Sequence, residues 1–372
     1  MRKNKRPLSL LRTVFLILIN PVSAVIGLLL LLSIFSSSFN PAETGVMAIF
    51  GLFFPLFFSL AILSLLALIL LRSKLAFFQL VILLIALPLL RKYVGYSNSS
   101  IESNFSIITY NVHGFRSFAK MTTKLESPEQ IMSFINERNS DVASIQEFRS
   151  WSGKIDEDLK LFASKSGYDY YHFAGYWKKG GIQSDGFVIL SKYPIIHKGS
   201  IPSVTGRNIG IFADIQIDSA SILRVSNIHL VSFSLQKGEI DMFSEAATLE
   251  MDKLKLHGKS VIGKLLSSFK IRAIELADLQ KFLRKTEIPH LITGDFNDTP
   301  ASYTYRILKE SGLNDVHLKS GSFLGATYAG DLPWLRIDYI FYSSGFQPVK
   351  SEVFKIPYSD HYPVVANLKF HP

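Results

Sequence analysis

Three long apolar stretches fill the first quarter of the 372-residue chain and limit what this part can fold into. They cover Val14 to about Phe35, Val46–Leu71 and Leu75–Leu90, and the charged residues lie outside them. A helix needs roughly 20 apolar residues to cross the hydrocarbon core of a bilayer. The first two stretches are long enough, and the third is long enough only if Lys74 and Arg91 extend toward the interface. We therefore predict a membrane anchor at 1–95 with three transmembrane helices, at about 13–36, 46–71 and 74–92.

The alternative for any of these stretches is a helix buried in a protein core, whereas a cleaved signal peptide fits poorly because further apolar stretches come after it. The basic residues predict the orientation. Five lie in the N-terminal tail and two in the connection 72–74, but none lies in 36–45. Because basic connections stay in the cytoplasm, three spans would place everything after residue 95 on the periplasmic side of the inner membrane. Two spans would place it in the cytoplasm.

Charge is concentrated in the same N-terminal quarter. Of the 40 basic and 30 acidic residues, nine and one lie in 1–95, which leaves 31 and 29 in the rest of the chain. The rest is therefore nearly neutral and provides no electrostatic argument for a nucleic-acid partner. The absence of cysteine excludes a disulfide framework, a zinc–thiolate site and a cysteine nucleophile.

After a polar linker at 96–103, the sequence alternates between short β-branched runs and amphipathic segments. Two segments have helical periodicity, Pro128–Arg138 and Ile271–Lys285. Strands that alternate with helices predict one mixed α/β domain at 104–372. The predicted strands are Phe105–Tyr110, Val142–Gln146, Gly186–Leu190, Ile211–Ile217, Leu223–Ile228, His290–Thr293, Asp338–Tyr342 and Val364–Leu368.

Several of these strands carry a carboxylate, an amide or an imidazole at or beside one end. Taken singly, each such residue has an ordinary explanation as a turn residue, a helix cap or a core histidine. Their shared position favours a site, because polar groups are costly to bury without partners. Oxygen ligands without cysteine suit Mg²⁺, Mn²⁺ or Ca²⁺ rather than zinc, and a nearby imidazole can act as acid or base. The residues are Asn111, His113, Glu147, His229, Asp295, Asn297, Asp338, Asp360 and His361.

The motifs around these residues resemble, in order, those of the endonuclease/exonuclease/phosphatase superfamily. That superfamily includes DNase I, the exonuclease III-type abasic endonucleases, inositol-polyphosphate 5-phosphatases and neutral sphingomyelinases. The resemblance implies a four-layered α/β sandwich, with two mixed sheets face to face and helices outside. The matching motifs are Ile108-Thr109-Tyr110-Asn111-Val112, Gln146-Glu147, Asn227-Ile228-His229-Leu230, Gly294-Asp295-Phe296-Asn297, Arg336-Ile337-Asp338-Tyr339 and Ser359-Asp360-His361.

The resemblance also implies a metal site for Mg²⁺, with Mn²⁺ or Ca²⁺ as alternatives. Glu147 matches the main metal ligand, and Asn111 lies beside it at the metal–phosphate position. Asp360 matches a second carboxylate on the metal side.

Catalytic roles are carried over in the same way. Asp295 matches the carboxylate that orients or deprotonates the attacking water, and Asn297 matches the amide that holds the water or a phosphoryl oxygen. His361 matches the imidazole on the scissile phosphate, with Asp338 as its orienting partner. His229 matches a second imidazole, a candidate acid for the leaving group.

Residues 231–270 depart from the better-known members of the superfamily and predict a helical insertion rich in lysine and apolar residues. A solvated helical hairpin, a substrate lid and a basic apolar surface lying on the bilayer are all consistent with this composition. The aromatic stretches at 168–173 and 176–179 are likewise open between base stacking, a bilayer surface and a buried strand.

The catalytic motifs leave three functions open. The first is a membrane-anchored, metal-dependent phosphodiesterase with nuclease activity. The second uses the same chemistry on a phospholipid or phosphoinositide-like head group. The third is a membrane-tethered binding module without activity. The partners predicted for the enzyme are a phosphodiester substrate, either nucleic acid or a lipid head group, and the lipid bilayer.

Overall fold

The computed structural model describes residues 7–97, 100–116, 128–176, 185–233, 251–330, 332 and 334–371. Two six-stranded mixed sheets form its centre, in the strand orders β11-β12-β1-β2-β4-β3 and β5-β6-β7-β8-β10-β9. The eight predicted strands are all present, and four more were not predicted. The strands are β1 Phe105–Asn111, β2 Val142–Arg149, β3 Tyr170–Gly175, β4 Asp185–Ser191, β5 Ile195–Pro202, β6 Asn208–Gln216, β7 Ile222–His229, β8 His290–Asp295, β9 Asn314–Asp315, β10 Asp338–Tyr342, β11 Phe346–Val353 and β12 Val364–Phe370.

Ten α-helices lie in the described part of the chain. The predicted helix Pro128–Arg138 has the expected bounds, whereas the one predicted at Ile271–Lys285 is the second half of a helix that starts 20 residues earlier. The helices are α1 Pro7–Phe35, α2 Pro41–Thr44, α3 Val46–Leu52, α4 Phe54–Leu70, α5 Leu75–Leu90, α6 Pro128–Arg138, α7 Ile155–Lys165, α8 Met251–Leu283, α9 Tyr303–Glu310 and α10 Val316–Ser320.

The part of the chain that follows residue 104 is a four-layered sandwich. One apolar core lies between the sheets, where Ile107 and Ile189 of the first sheet meet Ile211 and Leu291 of the second. A second core packs α6 and α7 against the outside of the first sheet. A third packs α8 and α9 against the outside of the second sheet. The predicted mixed α/β sandwich is thereby confirmed.

Strand directions bring the polar residues to one edge of the sandwich. In the first sheet β1 and β2 are parallel, and β12 runs antiparallel to β1. The ends of β1 and β2 therefore lie beside the start of β12. In the second sheet β7 and β8 are parallel, β10 is antiparallel to β8, and Asp295 is paired with both His229 and Asp338.

The prediction of three membrane-spanning helices is wrong in the described structure. Only Leu11–Ser38 is by itself long and apolar enough to cross a membrane. The second predicted span is broken into α3 and α4, which meet at an angle of 63° and qualify only if the bent pair counts as one span. The third predicted span is the 16-residue helix α5, which is shorter than a usual span.

Proline chemistry accounts for the break. Pro55 lies in the first turn of α4 and has no N–H to donate to the carbonyl of Gly51, so the helix cannot continue smoothly from α3. The hydroxyl of Thr299, in the sandwich, instead donates to that carbonyl at 3.5 Å. The N-terminal helices therefore contact the sandwich at this break.

The N-terminal helices dock on the sandwich at one end of α1. Ser36 Oγ donates to the Ala301 carbonyl at 3.1 Å, and Arg306 Nε donates to the Ser37 carbonyl at 2.7 Å. At the other end of α1, Arg12 Nε donates to the Leu71 carbonyl at 2.9 Å. The end of the N-terminal helices that carries Arg12 thus lies opposite the end that contacts the sandwich.

The predicted insertion at 231–270 is described only in part, because residues 234–250 lie outside the described residues. Its second half is the first part of α8. There Val261, Leu265 and Phe269 are buried in one cluster with Leu52 of α3. Packing against the N-terminal helices excludes a fully solvated hairpin for this part of the insertion.

Candidate active site

A cavity of about 350 Å³ opens at the edge where the strand ends converge. Six of the polar residues singled out from the sequence line it, and the other three lie directly behind them. The lining residues are His113, Glu147, Asp295, Asn297, Asp360 and His361. Behind them lie Asn111, His229 and Asp338, each joined to a residue of the cavity wall by a hydrogen bond or a close contact.

Glu147 and Asp360 form a negatively charged side of the cavity. His113 Nδ1 lies 3.6 Å from Glu147 Oε2 and 3.4 Å from Asp360 Oδ1, so one nitrogen stands between two carboxylates. Burial opposes the ionisation of Glu147, but His113, His229 and the Asn111 amide outweigh burial and hold the pKa of this carboxyl well below its ordinary value. Glu147 and Asp360 in turn raise the pKa of His113.

These residues fit a divalent cation. Two carboxylates directed at one point need a positive charge between them, and in the structure the His113 imidazole provides it. The Asn111 amide lies 3.1 Å from Glu147 Oε1 and adds a neutral ligand of the kind that hard cations accept. Glu147, Asp360 and Asn111, the metal ligands predicted from the sequence, are thus brought together.

Asp295 lies at the centre of the site. Its Oδ2 accepts a hydrogen bond from Asn111 Nδ2 at 3.0 Å, and its Oδ1 accepts one from the Asn297 backbone N–H at 2.8 Å. Burial, with help from the charge of Asp338, raises the pKa of Asp295 to about 7, although His361 acts in the opposite direction. A carboxylate with a pKa near neutrality can accept a proton from water at physiological pH.

His361 stands between two carboxylates. Its Nδ1 lies 2.9 Å from Asp338 Oδ2, and its Nε2 lies 3.6 Å from Asp295 Oδ2. Burial disfavours charge on this imidazole, but Asp338, Asp295 and Asp360 outweigh burial and raise the pKa of His361 well above its ordinary value. These three residues, Asp295, Asp338 and His361, could also be grouped as metal ligands, since their atoms lie within 4.8 Å of one another. A protonated imidazole cannot ligate a metal, so we interpret them as a proton-holding group.

The pKa of His229 is shifted in the opposite direction to that of His361. Burial lowers the pKa of His229 to about 4 and keeps the ring neutral. Tyr176 accepts a hydrogen bond from the Glu147 N–H at 2.7 Å, so its own hydroxyl hydrogen is available for His229 Nδ1 at 3.0 Å. The ring hydrogen then resides on Nε2, which is buried without a hydrogen-bond partner and lies 3.6 Å from both Glu147 Oε1 and Asp295 Oδ2. It is a hydrogen-bond donor directed into the site.

Unusual backbone conformations concentrate at this edge. Glu147, Asn297 and His113 have φ of 54°, 51° and 48°, in the left-handed region that few residues other than glycine adopt. Glu147 lies where the pairing of β2 with β4 shifts register. Gly294, with φ 130°, is required by packing, because a Cβ there would lie 2.0 Å from the Ile228 carbonyl oxygen. The three residues with these conformations all line the cavity.

Two functional residues were missed or undervalued in the sequence. His113 was noted beside a strand end but was given no role in the site, although its position two residues after Asn111 was a usable signal. Tyr176 was noted only as part of an aromatic stretch, and its contacts with Glu147 and His229 depend on the meeting of distant strands. Residues 177–179 of that stretch lie outside the described residues.

A two-sheet sandwich with carboxylates and imidazoles from both sheets at one edge defines a hydrolase of the DNase I-like class. Residues 108–361 match the family described as "Endonuclease/Exonuclease/phosphatase family". The chain therefore belongs to this family, whose members are hydrolases that act on phosphate esters. Residues 12–93 match a family described as "Domain of unknown function (DUF8431)". The curated proteins contain no significant match.

Solved structures share the fold at low sequence identity. An endonuclease/exonuclease/phosphatase family protein from Bacteroides thetaiotaomicron is 16% identical, with a TM-score of 0.53 over 73% of this chain and 100% of its own. The corresponding protein from Beutenbergia cavernae DSM 12333 is 16% identical, with a TM-score of 0.51 over 73% of this chain and 72% of its own. A mannosyl-6-phosphatase from Bacteroides thetaiotaomicron VPI-5482 is 16% identical, with a TM-score of 0.50 over 72% of this chain and 100% of its own.

Proposed function

We propose that this chain is a divalent-metal-dependent hydrolase of phosphate esters, held at a membrane by its N-terminal helices. The observation that carries the proposal is that Asp295 and His361 line one cavity with Oδ2 and Nε2 only 3.6 Å apart, in surroundings that raise the pKa of Asp295 to about 7 and that of His361 well above its ordinary value. Two groups tuned in this way supply a base and a cationic donor at the same pH.

Glu147, Asp360 and Asn111 would hold the cation, and the ion when bound would neutralise charge on a phosphoryl oxygen and lower the pKa of a bound water. The remaining steps belong to side chains. Asp295 accepts a proton from the attacking water while His361 donates a hydrogen bond to a phosphoryl oxygen. The new P–O bond forms as the P–O bond to the leaving alcohol breaks. The leaving oxygen finally receives the proton that Asp295 accepted, and His229 Nε2, 3.6 Å from Asp295 Oδ2, supports that carboxylate from behind the cavity wall.

Asp338 and Asn297 have supporting roles in this proposal. Asp338 fixes the orientation and charge of His361 through Nδ1. Asn297 donates from Nδ2 to the Leu230 carbonyl at 3.0 Å and from its backbone to Asp295. It therefore holds the base in place, and it also lines the cavity beside that base.

The chain divides, in this proposal, into an N-terminal membrane unit at 1–95, a linker at 96–103 and a catalytic domain at 104–372. Helix α1 is the element that crosses the bilayer. Because Arg12 and Arg72 lie at the end of the bundle opposite the catalytic domain, basic-residue retention in the cytoplasm places the catalytic domain on the extracytoplasmic side. The endonuclease activity predicted from the sequence stays a prediction, and DNA belongs among the substrates tested.

The test uses the full chain purified in detergent and stripped of metal. We expect hydrolysis of bis-p-nitrophenyl phosphate upon addition of Mg²⁺, Mn²⁺ or Ca²⁺, and its loss upon chelation. Glu147→Gln should abolish it, whereas Glu157→Gln, which changes an exposed glutamate of the same domain, should leave it intact. Metal binding without hydrolysis of any phosphate ester, plasmid DNA included, would contradict the proposal and favour an inactive binding module.

A further inference from the structure

The wall of the catalytic cavity is apolar on the side that faces the N-terminal helices. Leu52 and Phe53, at the α3–α4 break, line the cavity together with Phe233, Leu265, Leu335 and Ile337. We call these six residues the apolar rim. Four of them, Leu52, Leu265, Leu335 and Ile337, are packed in one buried cluster. The cavity therefore combines two surfaces. Its polar floor, which includes Glu147, Asp295 and His361, can bind a phosphate, and its apolar wall can contact hydrocarbon.

The N-terminal segment at the α3–α4 break, which contributes Leu52 and Phe53 to the rim, packs tightly against the catalytic domain. A Cβ on Gly51 would lie 3.0 Å from the Ala301 carbonyl oxygen, so the segment approaches the catalytic domain as closely as a glycine allows. Asn297, Thr299 and Ala301 lie in the loop that follows Asp295, the last residue of β8. One eight-residue stretch, Gly294–Ala301, thus contributes Asp295 and Asn297 to the polar floor of the cavity and also contacts the N-terminal segment that forms the rim.

The lining of the cavity, as far as the structure describes it, differs from a site built for a polyanion. None of the described lining residues is lysine or arginine. Proteins that bind nucleic acid rely on such residues for contacts with successive phosphates. One phosphate fits this site, and the part of the substrate beyond that phosphate meets leucine, isoleucine and phenylalanine.

The surroundings of the rim supply a source for an apolar substrate. Phe53 leads directly into α4, which exposes large apolar side chains along its length: Leu63 is 62%, Leu66 54% and Leu70 83% exposed. Contiguous exposed apolar surface on this scale marks contact with a membrane. A lipid whose phosphate lies at the bilayer surface would reach the cavity beside α4 without leaving the bilayer.

We propose that the substrate is a phosphate ester of a membrane lipid, with its phosphate on the polar floor and its first apolar carbons against the rim that Leu52 and Phe53 complete. The inference rests on the proposed phosphoesterase activity and adds the substrate class. Hydrolysis breaks one P–O ester bond of a phosphodiester with water, and it releases an alcohol and a phosphate monoester.

The experiment compares alkyl esters of p-nitrophenyl phosphate that differ only in the alkyl chain: methyl, butyl and octyl. The full chain in detergent is assayed with Mg²⁺ for release of p-nitrophenolate. We expect kcat/KM to rise roughly tenfold or more from methyl to octyl, since each buried methylene adds favourable transfer free energy. Phe53→Ala should reduce this ratio several-fold, and Phe233→Ala should reduce it from the catalytic-domain side of the rim. Phe39→Ala, at a phenylalanine that is 42% exposed and outside the rim, should leave the ratio unchanged.

A second experiment tests whether the enzyme takes its substrate directly from a bilayer. The full chain reconstituted in phosphatidylcholine vesicles should hydrolyse a hexadecyl ester embedded in the same bilayer. Hydrolysis of the octyl ester in detergent without hydrolysis of the bilayer-embedded ester would overturn the membrane source. Nicking of plasmid DNA at rates equal to octyl-ester hydrolysis would overturn the lipid class in favour of nucleic acid.

The two proposals fail in different ways. Metal-dependent hydrolysis with equal kcat/KM for methyl and octyl esters leaves the phosphoesterase intact and refutes the rim as a specificity element. No metal-dependent hydrolysis of any ester, the methyl ester included, refutes the phosphoesterase itself.

Discussion

Asp338 holds the His361 imidazole by a hydrogen bond of 2.9 Å between Oδ2 and Nδ1. Asp338 does not line the cavity, whereas His361 does. The carboxylate therefore acts on substrate only through the ring. Its second oxygen, Oδ1, is buried without a hydrogen-bond partner, so the side chain is committed to this one contact.

From this relationship we expect Asp338→Asn to lower kcat by about a hundredfold or more with little change in KM, because an amide cannot stabilise the imidazolium in the transition state. Steady-state kinetics with bis-p-nitrophenyl phosphate as substrate measure kcat and KM separately. Asp315→Asn, at a buried aspartate that pairs with Arg336 away from the cavity, controls for general damage. A variant with a raised KM and normal kcat would contradict a positioning role.

Cation binding gives a second prediction. Glu147→Gln should lower the affinity for Mg²⁺ or Mn²⁺ by at least about tenfold, measured by calorimetry on the metal-free protein, since one of two charged ligands is lost. Asp338→Asn should bind the ion normally. If Asp338→Asn lost the ion and Glu147→Gln retained it, the metal site would instead belong to the Asp295, Asp338 and His361 group.

Docking of the N-terminal segment depends on Gly51. Gly51→Ala places a Cβ 2.6 Å from Ser36 Oγ and 3.0 Å from the Ala301 carbonyl oxygen, so we expect a loss of about 1–3 kcal/mol in stability. Gly263→Ala, in α8 with nothing within 4 Å of its new Cβ, should be neutral or stabilising by up to about 1 kcal/mol. Thermal unfolding in one detergent compares them. Equal melting temperatures for wild type and Gly51→Ala would show that the segment is not tightly docked.

Arg336 belongs to a buried ion pair of the catalytic domain and also contacts the chain just after α5. Arg336 Nη1 lies 2.8 Å from Asp315 Oδ2, and Arg336 Nη2 donates to the Lys92 carbonyl at 2.8 Å. Arg336→Met leaves Asp315 without its charged partner and should cost about 3–5 kcal/mol. Lys154→Ala, which breaks a pair with both side chains about two-thirds exposed, should cost less than about 1 kcal/mol. Chemical unfolding of the two variants tests the contrast, and equal losses would refute it.

Two buried histidines outside the site make stability depend on pH. Burial lowers the pKa of His290 and of His317 to about 4, so both rings are neutral in the folded protein. In the unfolded chain each of these histidines is protonated below about pH 6.5, whereas in the folded chain it stays neutral until about pH 4. Stability is therefore complete above that pH and falls as pH drops toward 4, by about 1.4 kcal/mol per pH unit for each histidine.

Unfolding measured at pH 7.5 and pH 5 should show this loss, and His290→Gln should reduce it. His371→Gln, at an exposed histidine near the C-terminus, should not. An unchanged pH slope in His290→Gln would exclude His290 as a source.

Local sequence patterns predicted many of the strands and helices and most residues of the candidate site. The strand at Asp338–Tyr342 and the helix at Pro128–Arg138 were predicted with their observed bounds, because the short continuous run of the strand and the helical periodicity of the helix match their burial. Edge strands such as Ile195–Pro202, which is largely exposed, have no such pattern and were missed. All eight predicted site residues converge at one edge, because polar residues at strand ends can be read from the sequence even when their partners cannot.

Patterns of neighbouring residues determined that the first quarter is apolar and that a mixed α/β domain comes after it, and they singled out the polar residues at the strand ends, because these features depend on residues close together in sequence. Tertiary structure decided the rest. It divided the second apolar stretch at Phe53, since Pro55 has no N–H for the Gly51 carbonyl and the hydroxyl of Thr299, some 250 positions away, donates to that carbonyl instead. It also set the protonation of Asp295, His229 and His361, because burial and neighbouring charges from both sheets, rather than residue type, determine these pKa values.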